Sequence, residues 1–252
     1  MIHALIWDVD GTLAETERDG HRVAFNLAFE EFGLRWRWSE TRYGELLQVA
    51  GGRERLLTDM DTQPDAPPID ARAALATALH GSKNAHYARL VARGGIGLRP
   101  GVFDLMGDCA AQGMPMAIAT TTSRSNVEAL CEATLGRDGL RRFAAIVCAE
   151  DAPTKKPDPL VYRLCLARLG LRAQQVLAIE DSPAGVAACN AAGVPVIVTR
   201  SHYFADAPMI SALATGSGLD DVAGWSRPAA RSSRITLAQL SAWWREVQPA
   251  TV

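Results

Sequence analysis

The chain has 252 residues, 48% hydrophobic and 21% charged, enough for one large domain or a core domain with a smaller insert. Its 26 basic and 28 acidic side chains leave a net charge of −2, which excludes the basic excess of an electrostatic nucleic-acid binder. No apolar run approaches the ~18–20 residues of a membrane helix. Met1 to Trp7 is too short for a signal peptide before it meets Asp8. The cysteines (Cys109, Cys131, Cys148, Cys165 and Cys189) are odd in number and never spaced Cys-x-x-Cys, so buried free thiols in a reducing compartment are expected. These features predict a soluble cytoplasmic protein with no nucleic-acid or membrane partner.

The first element is Ala4-Leu5-Ile6-Trp7, an apolar run that stops at Asp8-Val9-Asp10-Gly11-Thr12. That pattern predicts a buried strand delivering polar residues at its C-terminal end. From Glu15 to Arg93 there is no convincing strand. Helical patterns run over Arg22–Phe32 and Ala71–Arg93, a Pro/Asp loop lies at 61–68, and Gly94-Gly95 and Gly97 mark a hinge. Strand-like runs then recur. Pro115–Ala119 ends in Thr120-Thr121-Thr122, Ala144–Val147 ends near Cys148, Val176–Ile179 ends in Glu180-Asp181-Ser182, and Val194–Val198 ends in Thr199. Between them lie helical segments at Ser125–Leu135, at Pro159–Leu169, and from Pro183 to the stop at Gly193.

Strands alternating with helices of this length predict βαβ units, a parallel sheet and right-handed crossovers. The expected fold is α/β, a Rossmann-like parallel-sheet core with an inserted helical domain. The core takes residues 1–14 and 94–205 and the insert 15–93. Residues 206–252 are a C-terminal extension with a helix over Leu237–Val247 that carries Trp243 and Trp244.

The chemistry-bearing residues gather at strand ends, where open α/β sheets build their sites. Asp8 and Asp10 follow the first strand, and burying two carboxylates together requires a shared cation or proton. A solvated Asp-Gly turn is the plain alternative. Glu180-Asp181 is a second acidic pair, which alone also suits a helix N-cap. Together the two pairs suggest a hard-cation site with oxygen ligands, hence Mg²⁺, and a phosphate as the missing ligand. Thr120, Thr121 and Thr122 offer hydroxyls and N–H groups where the next helix begins, as a phosphate seat or as an N-cap cluster. Lys155 and Lys156 stand before a helix start, the unfavourable end of the dipole for a cation, which hints at a compensating anion.

Four ordered motifs carry a resemblance: Asp8-Val9-Asp10-Gly11-Thr12-Leu13, Ile118-Ala119-Thr120, Lys156-Pro157-Asp158-Pro159 and Ile179-Glu180-Asp181-Ser182. The chain resembles the haloacid dehalogenase-like phosphohydrolases over residues 1 to 200. Its insert looks like the four-helix cap of the β-phosphoglucomutase-like branch. The runs Leu98-Arg99-Pro100-Gly101-Val102 and Asn126-Val127-Glu128-Ala129-Leu130-Cys131 make it most similar to the CbbY-type sugar-bisphosphate phosphatases. That resemblance implies xylulose-1,5-bisphosphate, a dead-end inhibitor of Rubisco, as substrate.

It further implies that Asp8 is the nucleophile and Asp10 the acid and base, with a raised pKa or a closed-cap geometry needed to make Asp10 effective. Mg²⁺ is expected on Asp8, the Asp10 main-chain carbonyl, Asp181 and Glu180. Thr120 and Lys156 are expected on the phosphoryl oxygens. Gly52 and Arg53 lie in an expected cap loop, with Arg53 reaching a second phosphate; Glu17, His21 and Lys83 are further candidates to meet the sugar, and Thr121 and Thr122 to bind substrate. The mutases of the branch carry a histidine where this chain has Gly20, with His21 one position on, which points away from a mutase. Alternatives are a phosphosugar mutase, a phosphoglycolate-type phosphatase, or a receiver-like phospho-aspartate signalling module. The partner expected is a small sugar phosphate and the state a monomer, with association through the C-terminal helix as the other option.

Overall fold

Strand β1 (Ala4–Trp7) has no polar side chain and every residue in it is buried. Such a strand needs cover on both faces. In the computed structural model, which describes residues 1–228 and 232–247, β1 lies inside an all-parallel six-stranded sheet. The other strands are β2 (Met116–Ala119), β3 (Phe143–Val147), β4 (Val176–Glu180), β5 (Val196–Thr199) and β6 (Ala214–Gly216), in the order β3-β2-β1-β4-β5-β6. In register, Ile6 stands opposite Ala117 on one side and Ala178 on the other.

Side chains alternate across the sheet. Leu5 and Trp7 enter one core with residues of α5 (Val102–Ala111), α6 (Arg124–Leu135) and α9 (Leu237–Glu246). Ala4 and Ile6 enter the opposite core with α7 (Leu160–Leu169) and α8 (Pro183–Ala191). The expected α/β architecture with a Rossmann-like parallel sheet is the one found, and the strand order reverses direction between β1 and β4.

Between β1 and β2 the chain forms a π-helical turn, Glu17–His21, then α1 (Arg22–Glu31), α2 (Glu40–Leu46), α3 (Gly52–Met60) and α4 (Ile69–Ala92). These helices share a core of their own, built on Phe25, Phe29, Trp36, Trp38 and Tyr43. The two connections to the sheet run side by side, with Ala14 bridged to Leu98 and the Arg99 N–H donating to Leu13 O at 2.8 Å.

The segment expected as a cap loop around Gly52 and Arg53 is instead the first turn of α3, entered from Gly51 at φ 99°. β6 and α5 were not anticipated either. The C-terminal helix ends at Glu246, and its Trp243 packs on Trp225 with ring centroids 5.2 Å apart. Arg234, just ahead of it, pairs with Asp108 of α5 at 2.7 Å. The aromatic face of this helix is thus buried in the chain's own core, while residues 229–231 and 248–252 of the extension lie outside the described residues. Among the described residues no helix is long and apolar enough to cross a membrane, and all the cysteines are free and buried.

Candidate active site

β1 and β4 are neighbours that end together, with Trp7 opposite Ile179, so Asp8 and Glu180-Asp181 emerge side by side at the carboxyl edge of the sheet. The Asp8 N–H donates to Ile179 O at 3.0 Å, which fixes the start of the loop. Lys156, which follows β3 in the chain, reaches the same point. Its Nζ lies 2.5 Å from Asp8 Oδ1, 2.6 Å from Glu180 Oε1 and 3.1 Å from Ala119 O. Asp8, Lys156, Glu180 and Asp181 are all buried.

Gly11 is required here. It sits at φ 83°, and a Cβ on it would stand 2.0 Å from Asp181 Oδ2. Ser201 Oγ donates to that same carboxylate oxygen at 2.6 Å. Burial pushes the pKa of Asp8 and of Asp181 upward, aided by the repulsion of neighbouring carboxylates and opposed by the Lys156 ammonium.

The donor set fits a divalent metal. Oxygens of Asp8, Glu180 and Asp181 lie within 4.8 Å of one another. Three buried carboxylates face one ammonium, and the raised affinity of two of them for protons marks a deficit of positive charge. Oxygen-only ligands suit a hard cation such as Mg²⁺. The Asp10 side chain lies outside this trio; it was expected to contribute only its main-chain carbonyl.

Asp10 Oδ1 accepts a bond from Thr16 Oγ1 at 2.6 Å and faces His21 Nε2 at 2.9 Å. Burial pushes its pKa up, but the His21 ring, the Thr16 hydroxyl and the Lys83 charge outweigh it and hold Asp10 below the ordinary carboxylate range. Of the two conditions expected to make Asp10 effective, a raised pKa is not met here, where Asp10 is tuned toward its ionised form, which leaves the closed-cap geometry. His21 reaches Asp10 because Glu17–His21 is a π turn, wider than an α turn, and its ring stacks on Tyr87 at 4.3 Å. His21, one position beyond the histidine of the mutase pattern, thus meets the second aspartate.

Two cavities adjoin. The smaller holds Asp8, Asp10, Thr120, Lys156, Asp181 and Ser182. The larger, about 410 Å³, extends toward the inserted helices and is lined by His21, Gly52, Arg53, Lys83, Thr121 and Thr122 among others. Glu17 and Arg55 border both. Glu17 accepts from Tyr43 Oη at 2.5 Å and lies 3.7 Å from the Arg55 guanidinium. All the residues singled out from the sequence thus line one or other cavity, except Glu180, which lies buried behind Lys156. The threonine run is not itself the cap of α6. Ser123 is the N-cap residue, and the Glu150 carboxylate accepts the Arg124 N–H at 3.0 Å.

Three lining residues were missed, Arg55, His80 and Phe204, as was Tyr43, which holds Glu17 from behind. His80, Lys83 and Tyr87 fall at i, i+3 and i+7 of α4, a stripe that periodicity could have exposed. Nothing in the sequence signals Phe204, which comes from beyond β5.

A doubly covered parallel sheet with an acidic, lysine-anchored cluster at its switch point is the frame of a known class of hydrolases. The model of the haloacid dehalogenase-like hydrolases matches residues 2–193, and the chain belongs to that family and is an enzyme. It is 45% identical to the plasmid CbbY protein of Cupriavidus necator over 249 residues, 96% of either chain. It is 31% identical to the phosphoglycolate phosphatase of Rhodospirillum rubrum over 81% of each. Among solved structures, a CbbY variant from Rhodobacter sphaeroides in complex with xylulose-1,5-bisphosphate covers 95% of this chain and 99% of its own, with a TM-score of 0.83 at 35% identity.

Proposed function

We propose that this hydrolase is a Mg²⁺-dependent phosphatase of a small sugar bisphosphate, xylulose-1,5-bisphosphate, working through an aspartyl-phosphate. The observation that carries the substrate is the likeness to the Rhodobacter sphaeroides protein that holds this bisphosphate, over nearly the whole of both chains. A cavity of about 410 Å³ beside the acidic cluster, with Arg53, Lys83 and Lys155 in its lining, supports it. One phosphate belongs at Asp8 and the other at that basic wall.

Asp8 attacks phosphorus and the bond to the sugar oxygen breaks. Lys156 holds Asp8 Oδ1, leaving the second oxygen to attack. Asp10 gives a proton to the departing sugar oxygen. Held ionised by His21 and Thr16 in the free enzyme, it takes up that proton when a phosphate dianion arrives beside it. In the second half, Asp10 removes a proton from water, which attacks the acyl phosphate and returns Asp8 and inorganic phosphate. Thr120 and Lys156 meet the phosphoryl oxygens, whose charge grows in the transition state. Mg²⁺, when bound by Asp8, Asp181, Glu180 and the Asp10 carbonyl, offsets the like charges of nucleophile and phosphate. Residues 15–93 act as a cap that opens for substrate and closes against water, with the paired crossings at Ala14 and Leu98 as hinges.

The test is phosphate release from a panel of sugar phosphates with Mg²⁺ or EDTA. Mg²⁺-dependent release, strongest on xylulose-1,5-bisphosphate and lost in Asp8→Asn, is expected. Release from monophosphates alone would remove the bisphosphate. Conversion of a sugar phosphate to an isomer with little release would make the chain a mutase.

A further inference from the structure

Tyr162 does not touch either cavity, yet it meets the charged centre from below. It lies in the first turn of α7 and is fully buried. Its hydroxyl donates to Glu180 Oε1, the oxygen that Lys156 Nζ also reaches, at 2.6 Å. The Lys156 ammonium sits 5.2 Å from the centre of the Tyr162 ring. Glu180 Oε2 accepts the Asp181 N–H at 3.2 Å.

Glu180 has no room to retreat, because a Cβ placed on Gly185 of α8 would stand 2.0 Å from its carboxylate. The Lys156 ammonium has three protons and three acceptors: Asp8, Glu180 and Ala119 O. A lysine head on a flexible four-carbon stem is placed only as well as its acceptors are. Glu180 is the acceptor behind it, and Tyr162 and α8 hold Glu180.

We propose that Tyr162 is a positioning residue for Lys156. By anchoring Glu180 Oε1 it holds the ammonium against Asp8 and Glu180, so that the proton on Ala119 O, its longest bond at 3.1 Å, is the one that turns to an arriving phosphoryl oxygen, and its ring is the floor that stops the ammonium sinking. This rests on the reading that Lys156 meets the phosphoryl group. The variant that isolates the anchor is Tyr162→Phe, which keeps the floor and removes the hydroxyl.

The probes are p-nitrophenyl phosphate as a generic substrate and orthovanadate as a mimic of the five-coordinate phosphorus, its binding measured by calorimetry so that no turnover is needed. In Tyr162→Phe, kcat and vanadate affinity fall about tenfold, as for a lost hydrogen bond to a charged group. KM moves less than about threefold, since an interaction that matters most in the transition state spares KM, and half-saturating Mg²⁺ moves no more than that, since Asp8 and Asp181 keep their places. In a Lys156→Ala background the same change causes no further loss, because the two act as one unit.

Wild-type kcat and vanadate affinity in Tyr162→Phe would overturn the proposal, as would a fully additive double variant. A rate restored by excess Mg²⁺ would also overturn it, placing the effect at the metal instead. Should Tyr162→Phe melt below assay temperature, a fluorinated tyrosine at 162 keeps the ring and sharpens the donor; unchanged vanadate affinity there counts against the role. Failure of wild type to cleave any phosphate ester sinks the phosphatase reading alone, because the vanadate comparison still stands.

Discussion

Lys83 lacks the partner that a buried ammonium ordinarily needs. It is 4% exposed, lies over the faces of Phe25 and Tyr87 at 5.2 and 5.4 Å, and has no carboxylate within 4.0 Å among the described residues. Asn84 Oδ1, at 3.4 Å, is its hydrogen-bond acceptor. Burial lowers its pKa to about 8, against the pull of Asp10 and Glu17. Burial and the Lys83 charge together push neighbouring His80 down to about 4. A buried ammonium so poorly matched, beside a histidine kept neutral, suits an arriving dianion, which supports the second phosphate there. The sign of the pH effect follows. Lys83 binds in its charged form, so kcat/KM for a sugar bisphosphate falls as pH rises through about 8. The bound phosphate lifts the Lys83 pKa again, so kcat itself stays level. Lys83→Arg, which cannot lose its charge near that pH, flattens the profile. A profile that stays flat in wild type would leave Lys83 as packing.

At the scale of elements, the site depends on α8 starting flush against the end of β4. Pro183 opens α8, Ser182 Oγ caps it by accepting the Gly185 N–H at 3.1 Å, and Gly185 presents bare backbone to Glu180. Gly185→Ala forces Glu180 or the helix to move. The expectation is a loss of about 1–3 kcal/mol by urea unfolding, typical of overpacking, and activity reduced about a hundredfold, since Glu180 carries Lys156 with it. A stable, fully active variant would show that β4 and α8 yield without consequence. Strands and helices of this kind were legible in the sequence, because three of the apolar runs end at Asp8, Thr120 and Glu180 and Pro183 announces its helix. The acidic pairs at Asp8 and at Glu180-Asp181 were legible for the same reason, since topology brings carboxyl ends together, whereas Lys156, nine residues beyond β3, was placed there only by the resemblance. The far wall was legible only in part: Arg53 and Lys83 were named through the resemblance, and Arg55 and His80 were not. Arg53 and Arg55 are two apart on α3, so they point to different faces, and only the packing of α3 shows that Arg55 borders both cavities. The three residues of β6 and the glycine-led start of α3 carry too little pattern to be read.

Across the whole molecule, the loop after β5 joins the sheet to the inserted helices. Arg99 ties its start, donating to Thr199 O at 2.9 Å and Arg200 O at 2.7 Å and also to Gly11 O in the nucleophile loop. Arg200 winds the loop on itself by donating to the carbonyls of Ala205 and Ala207, both at 2.8 Å. From that rigid base Ser201 holds Asp181, Phe204 lines the smaller cavity, and Tyr203 crosses to the helices. The Tyr203 ring lies 5.8 Å from that of Tyr43, packs against the insert's own core, and fits over Gly44, where a Cβ would stand 3.1 Å from it. Tyr43 in turn holds Glu17 at the border of the two cavities. The loop therefore latches the insert down over the site, and it does so from outside the chemistry. Tyr203→Ala weakens the latch without touching Asp8, Lys156 or Asp181. A sugar bisphosphate needs the closed insert for its far phosphate, so its KM rises about tenfold. Hydrolysis of p-nitrophenyl phosphate, which has no far phosphate, keeps its rate. Equal losses on both substrates would mean that Tyr203 acts through Ser201 and Asp181, making the loop part of the acidic centre instead of a closure device. Loss on the bisphosphate alone locates substrate selection in the contact between sheet and insert, where the two cavities adjoin.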